Sequence, residues 1–217
     1  MFDHKDLHQL HAQSLKMQSW IRQQTFSPEM EKTLRRFSSW EVSELILKIN
    51  QSTFRGRLAA DPSLPAGEVE EDGRQRWYSL EEVNELRRRM KINRKSLMPH
   101  RPAGKRAFRA AIANFKGGAG KSTVALHFAH AAALDGYRIL VVDFDPQGGL
   151  SLGLGVNAHS LPLEQTVYYA LMTPTANVDS IVLKSAVPGL DFLPANRDLG
   201  TAETTLGAEI GGPQYLK

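Results

Sequence analysis

Cysteine is absent from all 217 residues. That excludes a disulfide framework, a thiolate metal site and a Cys-ligated iron–sulfur cluster. No stretch reaches the roughly 18 consecutive apolar residues of a membrane helix. The N-terminus sets Asp3, His4, Lys5 and Asp6 where a signal peptide needs an apolar run. A cytoplasmic protein is the simplest reading. No internal repeat and no low-complexity tract is visible. The seven His residues show no metal-ligand spacing, although His4, His8 and His11 would share one helical face. Zinc is therefore not expected.

The apolar content, 41%, is enough for a packed core, and the length suggests one or two domains. The net charge of +4 hides an asymmetry: residues 1–106 carry a net +6 and residues 107–217 a net −2. A basic part joined to a near-neutral part suggests that the first meets nucleic acid, although a basic solvated surface would show the same charge.

Leu7, Leu10 and Leu15 give residues 1–24 a helical texture, and Pro28 opens the next segment at an N1 position. Residues 29–60 read as short helices. The stretch from Asp61 to Gly73 is acidic and turn-rich. Over 79–91 a helix is expected, with Ser79 as N-cap, Glu82 completing a capping box, and Leu80, Val83, Leu86 and Met90 as its apolar face. A basic linker over 92–106 carries Pro99, Pro102 and Gly104. Beyond it the texture changes. Phe108–Ala113 reads as a buried strand. Ser122–Leu134 reads as a helix apolar on nearly every face, ending at Asp135-Gly136 with glycine in the left-handed C′ position. Arg138–Asp143 reads as a second buried strand. Strand, helix, strand implies a right-handed βαβ unit in a parallel sheet.

Between that strand and helix lies Lys116-Gly117-Gly118-Ala119-Gly120-Lys121-Ser122-Thr123. Glycines let successive backbone N–H groups converge, and with the helix N-terminus they hold phosphate oxygens. Lys121 would reach the β- and γ-phosphates of ATP. The Ser122 hydroxyl would ligate Mg²⁺, and Thr123 would donate to the α-phosphate. The usual first glycine of a P-loop is replaced by Phe115, and a dinucleotide fingerprint fails at Thr123. The second strand ends in Asp143-Phe144-Asp145-Pro146-Gln147, two carboxylates where α/β sheets place ligands. Strand alternation sets both on one side.

The KGGxGK[ST] loop resembles the deviant Walker A motif of the ParA/MinD ATPases. Asp143–Gln147 resembles that family's DxDPQ segment, and Pro188–Asn196 its PGLDLIPAN strand. The overall arrangement looks most like the ParA or RepA protein of plasmid partition and replication operons. The resemblance implies that Lys116 crosses an ATP-sandwiched homodimer to the partner's phosphates. It also implies that Asp145 orients the attacking water and that Asp143 supports Mg²⁺ through water. A membrane-positioning relative of the MinD kind would need a C-terminal amphipathic helix, which this sequence does not show.

In the N-terminal half, Arg36–Leu45 reads as a Ser-capped helix, followed by the turn Leu47–Asn50 and a second helix from Gln51 to Arg57. This is helix-turn-helix spacing with Val42, Leu45, Ile49 and Phe54 buried. Lys48 stands where the turn favours glycine, at a cost of about 1 kcal/mol in the left-handed region. Gln51, Ser52, Thr53, Arg55 and Arg57 would face DNA, with Arg74 and Arg76 flanking a wing. The order resembles a winged helix of the kind found in MerR-like modules and longer ParA proteins. A helical interaction or dimerisation domain with a basic face would account for the same pattern.

The expected organisation is a helical winged-helix module (1–91), a linker (92–106) and the first part of a parallel-sheet P-loop ATPase (107–217). The expected function is ATP- and Mg²⁺-dependent partition of DNA, with a ParB-type partner, homodimerisation, slow hydrolysis and operon autorepression. A DNA-binding repressor or fragment without turnover is the alternative. No apolar strand after Asp145 ends in the Asp that a P-loop enzyme uses to hold the Mg²⁺ water shell: 180–183 runs into Lys184, and 190–193 carries Asp191 inside. An incomplete ATPase domain and weak turnover are expected.

Overall fold

The computed structural model describes residues 13–17, 20, 33–70, 73, 75–93, 95–99 and 103–201. The expectations for Pro28, Arg74, His4, His8 and His11 lie outside them.

The chain enters through a two-residue strand, β1 (Phe37–Ser38), and turns into α1 (Glu41–Ile46). Ser38 and Glu41 start this helix reciprocally. Ser38 N–H donates to Glu41 Oε2 at 2.8 Å, and Glu41 N–H donates to Ser38 Oγ at 3.3 Å. The helix is wound wider than an α-helix, with Leu47 N–H bonded to the Val42 carbonyl and Ile49 N–H to that of Ser43. That winding changes which face is buried. Val42 and Leu47, five residues apart, are buried, while Leu45 is 55% exposed. Ordinary helical spacing puts Leu45 inside, and the wider turn carries it out. Lys48 does take the left-handed conformation, at φ +56°. Asn50 then caps α2 (Gln51–Ala60) by accepting from Ser52 N–H.

A hairpin comes next, β2 (Glu68–Val69) antiparallel to β3 (Arg76–Tyr78), and β1 pairs with the other edge of β3. Gly67 is required here: its φ is +70°, and a Cβ would lie 2.9 Å from the Trp77 carbonyl oxygen and the Tyr78 ring. Tyr78 meets Phe54 edge-to-face, with ring centroids 5.9 Å apart. Helix α3 (Leu80–Arg89) carries the expected capping box, and Leu80, Val83, Leu86 and Met90 are all buried. Past α3 the chain makes a small hairpin of β4 (Lys91–Ile92) and β5 (Lys95–Ser96), turning at Asn93 with φ +49°.

Helix α4 (Lys121–Leu134) ends as the sequence indicated. Gly136 sits at φ +90°, its N–H bonds the Ala133 carbonyl, and Tyr137 N–H bonds that of Ala132. These two bonds make a Schellman motif. The helix is not buried all round: Ala129 and Ala133 are inside, while Val124 and Phe128 are more than half exposed.

Three strands form the second sheet, β6 (Ile139–Val142), β8 (Leu190–Leu193) and β7 (Leu183–Lys184), in the order β6-β8-β7. β6 and β8 are parallel, joined through α5 (Gly149–Gly153) and α6 (Val167–Met172), whereas β7 runs antiparallel to β8. The sheet is thus mixed, and its parallel pair differs from the one expected. Residues 105–114 are irregular and exposed, Phe108 at 87%. A strand needs a hydrogen-bonded neighbour, and among the described residues none lies alongside this segment. Among the described residues β6 is paired on one edge only, and its Leu140 is 52% exposed, so neither expected strand is buried.

The main core is continuous. It runs from Phe37, Phe54 and Leu86 to Ala129, Ala133 and Leu150 and on to Phe192 in β8. A second cluster, including Val167, Ile181 and Leu199, lies under α6.

Candidate nucleotide site and nucleic-acid face

The loop 116–122 curls back on itself before α4. Lys116 N–H donates to Asn114 Oδ1 at 2.9 Å, and Lys121 Nζ donates across the loop to the Lys116 carbonyl at 3.5 Å. Gly118 and Gly120 take φ +70° and +78°, conformations that glycine adopts without the strain a side chain would bring. Among the described residues, the N–H groups of Gly117, Gly118 and Gly120 through Thr123 have no protein acceptor, while the turn at Gly117-Gly118 brings Ala119 N–H back toward the Lys116 carbonyl. This run of free donors at the start of a fourteen-residue helix, with the Lys121 ammonium beside it, has the chemistry of a polyphosphate cradle. The donor set fits ATP. Lys116 is exposed, and Ser122 is half-buried.

The turn after β6 places the two carboxylates. Strand pairing stops at Val142, so alternation does not carry on to Asp145. The pair is split instead. Asp143 is buried, 4% exposed, and Asp145 is half-buried. Asp143 Oδ1 accepts from Asp145 N–H at 3.1 Å. Its Oδ2 accepts from Ser151 N–H at 2.8 Å and Ser151 Oγ at 2.7 Å. Three of the roughly four lone-pair sites of a carboxylate are therefore taken by protein. Asp145 Oδ1 accepts from Gln147 N–H at 2.9 Å, closing the turn. Helix α5 joins this turn to the loop. A Cβ on Gly149 would lie 3.7 Å from Ser122 Oγ, and one on Gly153 would lie 3.0 Å from Leu126 Cδ2. Gly149 and Gly153, one helical turn apart, thus lie against Ser122 and Leu126, also one turn apart. Sequence reasoning passed over Gly149, Ser151 and Gly153. The glycine spacing in Gly149-Leu-Ser151-Leu-Gly153 was the available signal.

In the N-terminal part, Ser52, Thr53, Arg55 and Arg57 project from α2 into solvent, with Gln51 half-buried at its start. Neither arginine is ion-paired among the described residues. Gln51 N–H donates to Glu44 Oε1, so α1 steadies the start of α2. Arg76 is exposed but partly engaged, its Nη1 donating to the Ala66 carbonyl at 2.7 Å across the hairpin base.

Residues 109–217 match the AAA domain family AAA_31. The chain belongs to this family of P-loop ATPases, as a member of the ParA/RepA type. A protein described as putative replication protein A from Sinorhizobium fredii is 36% identical over 185 residues, which is 82% of this chain and 44% of that protein. The chromosome partitioning protein ParA of Caulobacter vibrioides is 45% identical over 97 residues, 45% of this chain and 35% of its own. Among solved structures, a cobyrinic acid a,c-diamide synthase from Mycobacterium smegmatis with bound ATP analogue and magnesium is 35% identical, with a TM-score of 0.42, covering 46% of this chain and 38% of its own. The chain spans less than half the length of the curated relatives it matches over most of its length, 44% and 48%. Among the described residues, no helix is long and apolar enough to cross a membrane.

Proposed function

We propose that the protein is an ATP-dependent DNA-partition protein that binds Mg²⁺·ATP at loop 116–123 and DNA through α2. The observation that carries this reading is the run of unpaired loop N–H groups beside Lys121, with α5 touching Ser122 through Gly149 and holding the Asp143 carboxylate through Ser151. Lys121 would hold the β- and γ-phosphates, and Gly117 to Thr123 would bind their oxygens through the backbone. Ser122 would ligate Mg²⁺, with Asp143 holding one of its waters through its remaining lone-pair site. Bound Mg²⁺ would neutralise charge developing on the transferring phosphoryl group. Asp145, less buried than Asp143 and fixed by Gln147, would orient the attacking water. Lys116, exposed at the loop entrance, is available to a second copy's nucleotide, as ATP-driven homodimerisation requires.

β1, α1, α2 and the β2–β3 hairpin have the order of a winged helix, with α2 as recognition helix. Its Arg55 and Arg57 are unencumbered cations suited to phosphate or guanine. The hairpin contributes less: of its described acidic residues Glu68 is paired with Arg36, and Glu70 adds a charge that phosphates repel. A ParB-type partner, slow hydrolysis and repression of its own operon are inferred from the relatives named ParA and replication protein A. The second reading, a DNA-binding protein without turnover, is supported by the unpaired segment leading into the loop, which leaves the loop's entrance unbraced.

The test measures nucleotide and DNA binding on the same 217-residue chain. Lys121→Ala should lose at least about tenfold in Mg²⁺·ATP affinity while keeping its DNA affinity. Arg55→Ala and Arg57→Ala should keep nucleotide affinity, and each should reduce the salt slope of DNA binding by about one unit. Unchanged nucleotide affinity in Lys121→Ala would remove the site assignment, and unchanged slopes would remove α2 from the DNA interface.

A further inference from the structure

We propose that Ser151 is a positioning residue for the magnesium side of the nucleotide site, acting through the Asp143 carboxylate. The proposal rests on the nucleotide-binding reading and adds a residue to it. Ser151 has no exposed surface. Burying a hydroxyl is unfavourable unless its hydrogen bonds are made, and here both are. Its Oγ donates to Asp143 Oδ2 at 2.7 Å and accepts from Ala195 N–H at 3.1 Å. Its own N–H gives Asp143 Oδ2 a second donor at 2.8 Å. One side chain thereby joins the end of β6, the middle of α5 and the residue two beyond β8.

The consequence is geometric. Asp143 can rotate only by breaking the Ser151 bonds, and its other oxygen holds Asp145 N–H. Asp145 in turn fixes Gln147. The whole acidic turn is therefore referenced to α5, and α5 is referenced to Ser122 and Leu126 through Gly149 and Gly153. Were filling space the sole requirement, alanine would serve at this position. The hydroxyl is what converts the seat of a short helix into a fixed orientation of a carboxylate held by the same helix that touches the proposed Mg²⁺ ligand Ser122. Groups that orient metal ligands from behind typically change metal affinity about 10–100-fold when removed, and Ser151, which acts on a carboxylate that would hold a magnesium water, belongs at the lower end.

The experiment titrates a fluorescent ADP analogue into the full chain, with Mg²⁺ and again with EDTA, for the parent, Ser151→Ala, Ser151→Cys and Ser151→Thr. Circular dichroism melting accompanies each. The parent should bind more tightly with Mg²⁺. Ser151→Ala should keep its affinity in EDTA within about twofold and lose about tenfold of the Mg²⁺-supported affinity. Thr, which keeps the hydroxyl, should restore it. Cys, nearly the size of Ser and a weak donor, should fall between and carries the test if Ala loosens the fold. Several results would overturn the proposal: a full Mg²⁺ response in Ala or Cys, an equal loss with and without Mg²⁺, or a folded Thr variant no better than Ala. A parent chain that binds no nucleotide under either condition would instead overturn the nucleotide reading itself.

Discussion

Glu41 shows how much one side chain fixes at the start of the N-terminal module. Its Oε1 accepts from Arg35 Nη2 at 2.9 Å, and its Oε2 accepts from both Ser38 N–H and Ser38 Oγ. The Arg35 bond first, then the Ser38 backbone N–H, hold its pKa down to about 2, from an ordinary 4.5. A folded-state pKa below the unfolded one means stability that is full above about pH 4.5 and lost as the pH falls towards 2. Glu41→Gln should cost about 1 kcal/mol at neutral pH, the usual worth of a cap. The parent and variant should converge as the pH approaches 2. Urea melts of both proteins across this range measure it, and a gap that stays constant with pH would show that the charge of Glu41 is not what stabilises α1. Lys48 belongs to the same scale. The sequence places a lysine where the turn wants glycine, and the chain accepts the left-handed conformation, with the ammonium 3.4 Å from Asp135 Oδ1.

At the scale of elements, the ends of helices were legible in the sequence. The Ser79–Glu82 box, the glycine after α4 and the loop before it each work within a few residues, so a linear reading finds them. Strands are different, because their partners are remote. Phe108–Ala113 has strand composition and no strand, and β6 is paired to β8, some fifty residues on, with no local mark of that choice. The joint between α3 and α4 was equally hidden. Among the described residues Arg87 is the largest fully buried side chain. Its guanidinium bonds Asn84 Oδ1 at 2.7 Å and reaches the Leu134 carbonyl at the C-terminus of α4, where an exposed carbonyl welcomes a cation. Burial pulls its pKa below the ordinary value, while Asp135 pushes back. Gly136 lies against it, and a Cβ there would come within 2.9 Å of Arg87 Nη1. Arg87→Ala should therefore destabilise by about 2–3 kcal/mol. Gly136→Ala should cost more than the roughly 1 kcal/mol of its left-handed backbone, because it also meets the guanidinium. In the Arg87→Ala background that second part disappears. A double-mutant cycle by denaturant unfolding should give a coupling above about 0.5 kcal/mol, and strict additivity would separate the two residues.

For the whole molecule, the decisive contrast is between a continuous core and an uncovered flank. Phe37 through Phe192 share one apolar cluster, so the N-terminal module and α4 are packed together. Elsewhere, Phe108 and Phe115 stand almost fully exposed, and Val124, Phe128, Leu140 and Phe144 are each a little over half exposed. Large exposed apolar side chains of this kind are common where another layer covers a surface or where chains associate, and among the described residues β6 also has one edge without a strand partner. The phosphate loop hangs between these two regions. Its α4 end is fixed by the core, and its other end continues into 105–114, which has no strand partner among the described residues. Hydrogen exchange read by mass spectrometry should therefore divide the chain. Amides of β6 and β8, bonded to each other, should exchange orders of magnitude more slowly than those of 105–114. If the loop cradles phosphate as proposed, Mg²⁺·ATP should slow 117–123 and leave 105–110 fast. Protection of Phe108–Ala113 equal to that of β8, independent of protein concentration, would mean that the segment is paired within a single chain and that the loop is braced at both ends. The same protection rising with concentration would mean that a second copy supplies the missing edge.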